Sequence, residues 1–163
     1  MLLAKSCHDI DIIQWLLDKP CKKVQSFGKL SYFTSDHAPK GAPVRCIDGG
    51  CPIEDTCPYN CKKLYFDDKD NQWFRTACTR GIAKTDVPTD EEVMRALNTT
   101  DYGLCVYHAN NDVVDHQVVN LRYRGGVTVS MTMSAFTRDC ERSIVLMGSH
   151  GQIFGNMEKS LIE

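Results

Sequence analysis

Long apolar runs are missing from this chain. A long stretch without a charged residue, Gly125 to Thr137, is rich in Thr, Ser, Met and Val, too short and too polar to cross a bilayer. No leader core is visible either, because Met1-Leu2-Leu3-Ala4 runs straight into Lys5 before the apolar segment a secretion signal needs. Neither sign of charge prevails: 19 basic against 21 acidic residues leave a formal net charge of -2, which makes no case for a nucleic acid or a membrane as partner. The expected setting is cytoplasmic. Phosphate-binding glycine patterns are absent as well, since Gly148, Gly151 and Gly155 have the wrong spacing and fall between strand-like segments, not at the opening of a helix.

What is present fits one ordinary domain. A chain of 163 residues can bury about two-thirds of the surface its unfolded form exposes. Nine cysteines are many, but the number is odd and Cys7, Cys21, Cys78, Cys105 and Cys140 are scattered singly. In a reducing compartment such residues are expected to be buried thiols and not a disulfide framework.

Apolar spacing at Ile10, Ile13, Leu16 and Leu17 predicts a helix of about ten residues, with Asp9 or Asp11 near its start and Lys19-Pro20 after its end. Lys22 to Phe33 suits a strand crossing Gly28. Thr34 to Pro58 is dense in proline, glycine and cysteine and has no sustained period; a connection this long is usually functional or disordered. A short helix is expected around Tyr59 to Asp67, and Gln72 to Arg75 reads as an edge or an aromatic plug. Thr89-Asp90-Glu91-Glu92 is a capping box that heads a helix over Asp90 to Leu97.

The last third is strand-like: Gly103 to Tyr107, Gln117 to Arg124, Val127 to Phe136, Ser143 to Met147 and Gln152 to Phe154, with a new strand beginning near Met157 to Glu163. Turn residues between them predict an antiparallel meander. At Gly125-Gly126, a three-residue loop that opposes Val119, Leu121 and Tyr123 to Met133, Met131 and Val129 gives one apolar face, with a glycine in the left-handed conformation. Helices first and strands after make the class α+β: an open, mainly antiparallel sheet with helices packed on one face.

Three constellations could carry chemistry. Cys7-His8-Asp9-Ile10-Asp11 places a histidine at a helix start, where the dipole favours its neutral form and a nearby carboxylate opposes this, a setting suited to proton transfer; a plain helix cap is the competing reading. Cys46, Cys51, Cys57 and Cys61 put four thiols within sixteen residues, enough for a tetrahedral thiolate site holding zinc. No Cys-x2-Cys knuckle occurs, however, and a tight loop with packed thiols is the favoured alternative. Asn110 to Gln117, with Asp115 and His116 where a strand begins, could hydrogen-bond a sugar or polyol, or form an Asx-turn beside a solvated histidine.

Taken in order, His8-Asp9-Ile10-Asp11 with Ile13-Gln14-Trp15-Leu16, Val24-Gln25-Ser26-Phe27-Gly28, Asp115-His116-Gln117-Val118-Val119 with Gly126-Val127-Thr128, and Arg142-Ser143-Ile144 with Gly148-Ser149-His150-Gly151-Gln152-Ile153 resemble the C-terminal domain of the Gfo/Idh/MocA oxidoreductases. The resemblance covers nearly the whole chain. It implies a dihydrodipicolinate-reductase-like substrate-binding and oligomerisation domain over residues 1–163, cut short at its C-terminal end. An N-terminal Rossmann domain binding NAD or NADP lies outside it. It implies catalysis at His8, near the carbon that gains or loses hydride, assisted by a lysine from the other domain. The substrate is a sugar, polyol or related hydroxyl compound contacted by Lys5, Asp115 and His116, and the fragment alone is inactive. Many relatives carry an aspartate where this chain has Ala4, so Lys5 is the candidate for part of that polar work. Assembly as a homo-oligomer through the sheet is also implied. The contrasting expectation is a non-catalytic binding or assembly module whose cysteine-rich loop is stapled by a metal.

Overall fold

The architecture is taken from a computed structural model that describes residues 6–163. It is mixed α/β, with a few helices and two separate three-stranded sheets. The chain divides into two compact units between Met133 and Ser134.

In the first unit, helix α1 spans Cys7–Leu17 and strand β1 Cys21–Lys29. Ser6, not Asp9 or Asp11, is the N-cap of α1, and the helix stops at Asp18, which adopts the left-handed conformation and donates its N–H to Gln14 O at 2.9 Å. Strand β2 (His116–Tyr123) pairs antiparallel with β1, and β3 (Thr128–Ser134) lies beyond β2. Strand residues two apart share a face. Val119, Leu121 and Tyr123 are thus buried together, under Ile10, Ile13 and Leu17 of α1 and beside Val127, Val129 and Met131. The expected apolar face is therefore found, with α1 on it.

The hairpin loop has three residues, Arg124 to Gly126: Tyr123 donates its N–H to Val127 O at 2.8 Å, and Gly126 donates to Tyr123 O at 3.2 Å. Gly125 and Gly126 both have positive φ, 87° and 88°, a backbone only glycine adopts without strain. Tyr123 thus closes on Val127, one pair nearer the turn than the Val129 partner the sequence suggests. A slip of two residues keeps every side chain on its face, so hydrophobic patterning alone cannot choose between the two registers.

The same unit holds a second core. Helix α2 (Gln72–Cys78) and helix α3 (Asp90–Thr99) bury Cys61, Cys78, Val93, Ala96 and Leu97, with Ile47, Tyr65, Phe66 and Ile82 packed around them. The capping box is complete: Glu92 N–H donates to Thr89 Oγ1 at 3.2 Å, and Thr89 N–H to Glu92 Oε2 at 2.9 Å. Gln72 to Arg75, read as an edge or plug, opens α2, because the Asn71 side chain caps it by accepting the Phe74 N–H at 3.2 Å. Arg75 is buried among three acceptors, Phe66 O, Pro88 O and the Asp90 carboxylate, the last at 2.6 Å. Lys69, then Arg75, hold the Asp90 carboxyl below the usual carboxylate range.

Gly103 to Tyr107 is no strand. It begins in a tight turn, Asp101–Gly103, where a Cβ on Gly103 would stand 1.7 Å from Leu97 O; the backbone is pressed against the end of α3 instead of extending into a sheet. Of the five scattered cysteines expected to be buried, Cys78 is; Cys105 is half-buried, and Cys7, Cys21 and Cys140 are exposed. These three sit in the first turn of α1, at the start of edge strand β1 and in a charged connection, places with no apolar layer above them.

The second unit holds β4 (Ser143–Gly148), β5 (Gly151–Asn156) and β6 (Leu161–Ile162), antiparallel in that order. The expected single open sheet is thus two. The polar segment Thr137 to Arg142, with four charged side chains, separates β3 from β4 and carries no strand. Among the described residues no helix is long and apolar enough to cross a membrane.

Candidate functional site

Polar groups converge where β1 ends and β2 begins. Asp115 precedes β2, and its N–H donates to Lys29 O at 3.0 Å, tying the two strand ends together. Its carboxylate, only 3% of the residue exposed, accepts the N–H groups of Tyr32 at 2.7 Å and Ser31 at 2.8 Å, and the Ser31 hydroxyl at 3.1 Å. Burial pushes the Asp115 carboxyl up, but the Tyr32 and Ser31 amides, with His116 and the Ser31 hydroxyl, outweigh it and hold the group well below the usual carboxylate range.

His116 Nδ1 stands 2.8 Å from Asp115 Oδ1. An ionised carboxylate only accepts, so Nδ1 carries the proton and the neutral ring keeps Nε2 as an acceptor. The His116 side chain is about half exposed (47%). A buried carboxylate that fixes the tautomer of an accessible imidazole is the arrangement acid–base chemistry uses. Gly28 is needed beside it: a Cβ there would meet His116 O at 2.9 Å.

A cavity of about 250 Å³ takes its walls from residues flanking Ser31 and Tyr32, among them Leu30, Phe33 and Thr34, together with Tyr107, His108 and Asn110, and not from Asp115 or His116. Its aromatic wall is fixed by packing and hydrogen bonding. Tyr107 donates its hydroxyl to Tyr32 at 3.2 Å, the two rings lie edge to face at 5.6 Å, and Phe33 meets Tyr59 at 5.2 Å. Burial, then the bond to Tyr32, pushes the Tyr107 phenol up, so it stays a neutral donor. A ring wall facing amide, hydroxyl and imidazole groups suits a neutral, hydroxyl-rich ligand better than an ion.

Of the residues singled out in the sequence, Asp115 and His116 are thus brought together, with the carboxylate turned to protein donors and the imidazole outward. His8 is exposed in the first turn of α1. Lys5 lies outside the described residues. Because Arg124 N–H donates to Pro20 O, α1 ends by the β2–β3 hairpin and runs back along the sheet toward the Asp115 end. Eleven helical residues rise about 16 Å and nine strand residues about 30 Å, so His8 stops partway up the sheet. Ser31, Tyr32 and Tyr107 were missed, because their segments look like ordinary strand; the signal was Asp115, an acid at a strand start, where a turn across the sheet offers free amides.

The cysteine-rich loop divides its thiols. Cys61 is buried in the α2–α3 core, against which Cys46 also packs, and Cys46 Sγ accepts the Cys61 N–H at 3.4 Å. The Cys61 thiol, donating to Cys46, lowers the latter to about 6 against the opposing effect of burial. Burial pushes the Cys57 thiol up, with Cys46, Cys51 and Cys105 near enough to add to it. Among the described residues no three His, Cys, Asp or Glu side chains stand ready-made as a metal-ligand set.

Comparison of the chain with protein-family models, curated proteins and solved structures found no match in any of the three.

Proposed function

We propose that this chain is the substrate-binding part of an NAD(P)-dependent oxidoreductase of the Gfo/Idh/MocA kind, acting on a sugar, polyol or related hydroxyl compound. The observation that carries the reading is the corner built from Asp115, His116, Ser31 and Tyr32, joined through the Tyr32–Tyr107 hydrogen bond to the aromatic, amide-lined cavity. A polyol carries apolar C–H faces and many hydroxyls; the Tyr107 and Phe33 rings take the former, and Asn110, Thr34 and Ser35 the latter. His116 contacts a substrate hydroxyl through Nε2 while Asp115 keeps the ring oriented.

The dinucleotide, whose chemistry is hydride transfer, does not fit this chain. Both sheets are built from antiparallel neighbours, and the parallel βαβ unit that cradles a pyrophosphate is lacking among the described residues, so the cofactor belongs to a domain outside them. His8, exposed in the first turn of α1, is the proposed proton-transfer residue. Exposed Phe27 on β1 and its neighbour Val118 on β2, 64% and 37% accessible on the face away from α1, support a homo-oligomer through the sheet.

Calorimetric titration of the chain with a panel of hexoses, cyclitols and NAD tests the reading. Binding of at least one hydroxyl compound, weakened tenfold or more by Tyr107→Ala, and no binding of NAD are expected. Ordinary NAD affinity, or polyol binding indifferent to Tyr107→Ala, overturns it.

A further inference from the structure

A second, much smaller cavity lies in the cysteine-rich loop. It measures about 20 Å³, and its walls include Cys46, Cys51, Cys57 and Cys105, with Pro39 and Ile53 beside them. A space of roughly 10–15 Å³ is the least that holds one water, so this one admits a single small ion and no organic ligand.

Four thiols reach it from stretches of chain that the backbone forces together. The Cys46–Asp48 turn carries the first. Gly49 and Gly50, with φ of 74° and 76°, then reverse the chain through a conformation that L side chains resist, which returns Cys51 to the same cavity. The Gly50 N–H is held by Glu54 Oε2 at 3.1 Å, and the Cys57 N–H by Ile53 O at 2.8 Å. Cys105 comes from more than 40 residues further along the chain. Its N–H donates to Val44 O at 2.9 Å, and the bridge between Arg45 and Leu104 clamps the two segments side by side. Arg45 in turn donates to Leu97 O at 2.5 Å and Thr100 O at 2.9 Å at the end of α3.

We propose that Cys46, Cys51, Cys57 and Cys105 form a structural site for one thiolate-preferring divalent ion, of the zinc class. Four sulfurs around a single-ion cavity fit a closed tetrahedral centre, and soft thiolates select such ions over magnesium or calcium. The sulfurs turn toward the cavity centre about their χ1 bonds to complete the set. Binding converts four thiols to thiolates and releases their protons, with no change of oxidation state. Cys61 is an outer partner, its N–H donating to Cys46 Sγ as second-shell donors do at metal-bound sulfur. The site goes beyond the proposed substrate cleft and does not depend on it. Its place is structural, joining the loop to the segment that carries Cys105.

The test is elemental analysis of the chain purified under reducing conditions from zinc-replete cells, followed by cobalt substitution of the same protein. One zinc per chain is expected, with a thiolate-to-cobalt charge-transfer band and the red bands of a tetrahedral centre. Cys105→Ser is expected to weaken metal binding by more than the 10–100-fold that loss of an outer partner costs. Cys61→Ala keeps the N–H and is expected to hold zinc within that range. Since Cys105→Ser could unfold the loop, thiol reactivity of the unaltered protein gives a second readout: a chelator is expected to release four protected thiols, while the buried Cys61 and Cys78 react slowly with or without it. Absence of stoichiometric metal, thiol reactivity unchanged by the chelator, disulfides among the four, or zinc lost with Cys61→Ala and kept with Cys105→Ser would each overturn the proposal.

Discussion

Asp115 shows how one side chain can hold a corner and prepare it for chemistry. Two backbone amides and one hydroxyl end on its carboxylate, and each buried donor left unpaired costs about 1–3 kcal/mol. Asp115→Ala is therefore expected to lower stability by about 2–5 kcal/mol in urea unfolding, and to lose ligand binding at the adjacent cavity with it. The pH dependence follows from the direction of the shift. The folded carboxyl lies below its unfolded value, so its contribution is fully present above about pH 4 and is lost as pH falls through the folded value; Asp115→Asn is expected to flatten that acid limb. Acid titration of the two proteins side by side checks it. Gly28 is the quiet partner: Gly28→Ala, with a Cβ 2.9 Å from His116 O, is expected to cost about 1–3 kcal/mol by overpacking. The sequence marked Asp115 and His116 as a pair, but it could not show that the acid points inward and the base outward, because the Ser31 and Tyr32 amides lie more than 80 residues away.

Elements with strong local signals formed as their residues dictate. Helix α3 follows from its capping box and buries Val93, Ala96 and Leu97. Thr89→Ala is expected to lower the melting temperature by the equivalent of about 1 kcal/mol, and Leu97→Ala by about 2–5 kcal/mol, with its wholly buried side chain leaving a cavity. Helix α2 was hidden because its seven residues are too few to show a helical period, and its stability comes from the buried Arg75 and from packing. Gly103 to Tyr107 was misread for the opposite reason: apolar composition suits a strand, yet the close approach of Gly103 to Leu97 O leaves no room for one. The hairpin lies between these cases. Its face and loop length were legible from alternation and the glycine pair, and its register was not, since both registers bury the same side chains.

At the scale of the whole chain, the division into two units was invisible in the sequence, which reads as one meander. Strand pairing depends on contacts across the polar Thr137 to Arg142 segment, and no local pattern reports those. Phe27 and Val118, paired across β1 and β2 on the face away from α1 and both exposed, support assembly through that sheet surface. A homo-oligomer in light scattering, shifted toward monomer by Phe27→Glu with helix content unchanged, is the expected result.

The central claim is that these residues bind and deprotonate a hydroxyl substrate for a cofactor held by another domain. The most direct measurement is steady-state turnover of the gene product that carries this chain, followed by NAD(P)H formation, for the unaltered protein and for His8→Ala. The account expects kcat to fall by about 10²–10⁴-fold, the share positioned proton transfer supplies, with cofactor affinity unchanged within twofold. A rate within about threefold of the unaltered protein would contradict it.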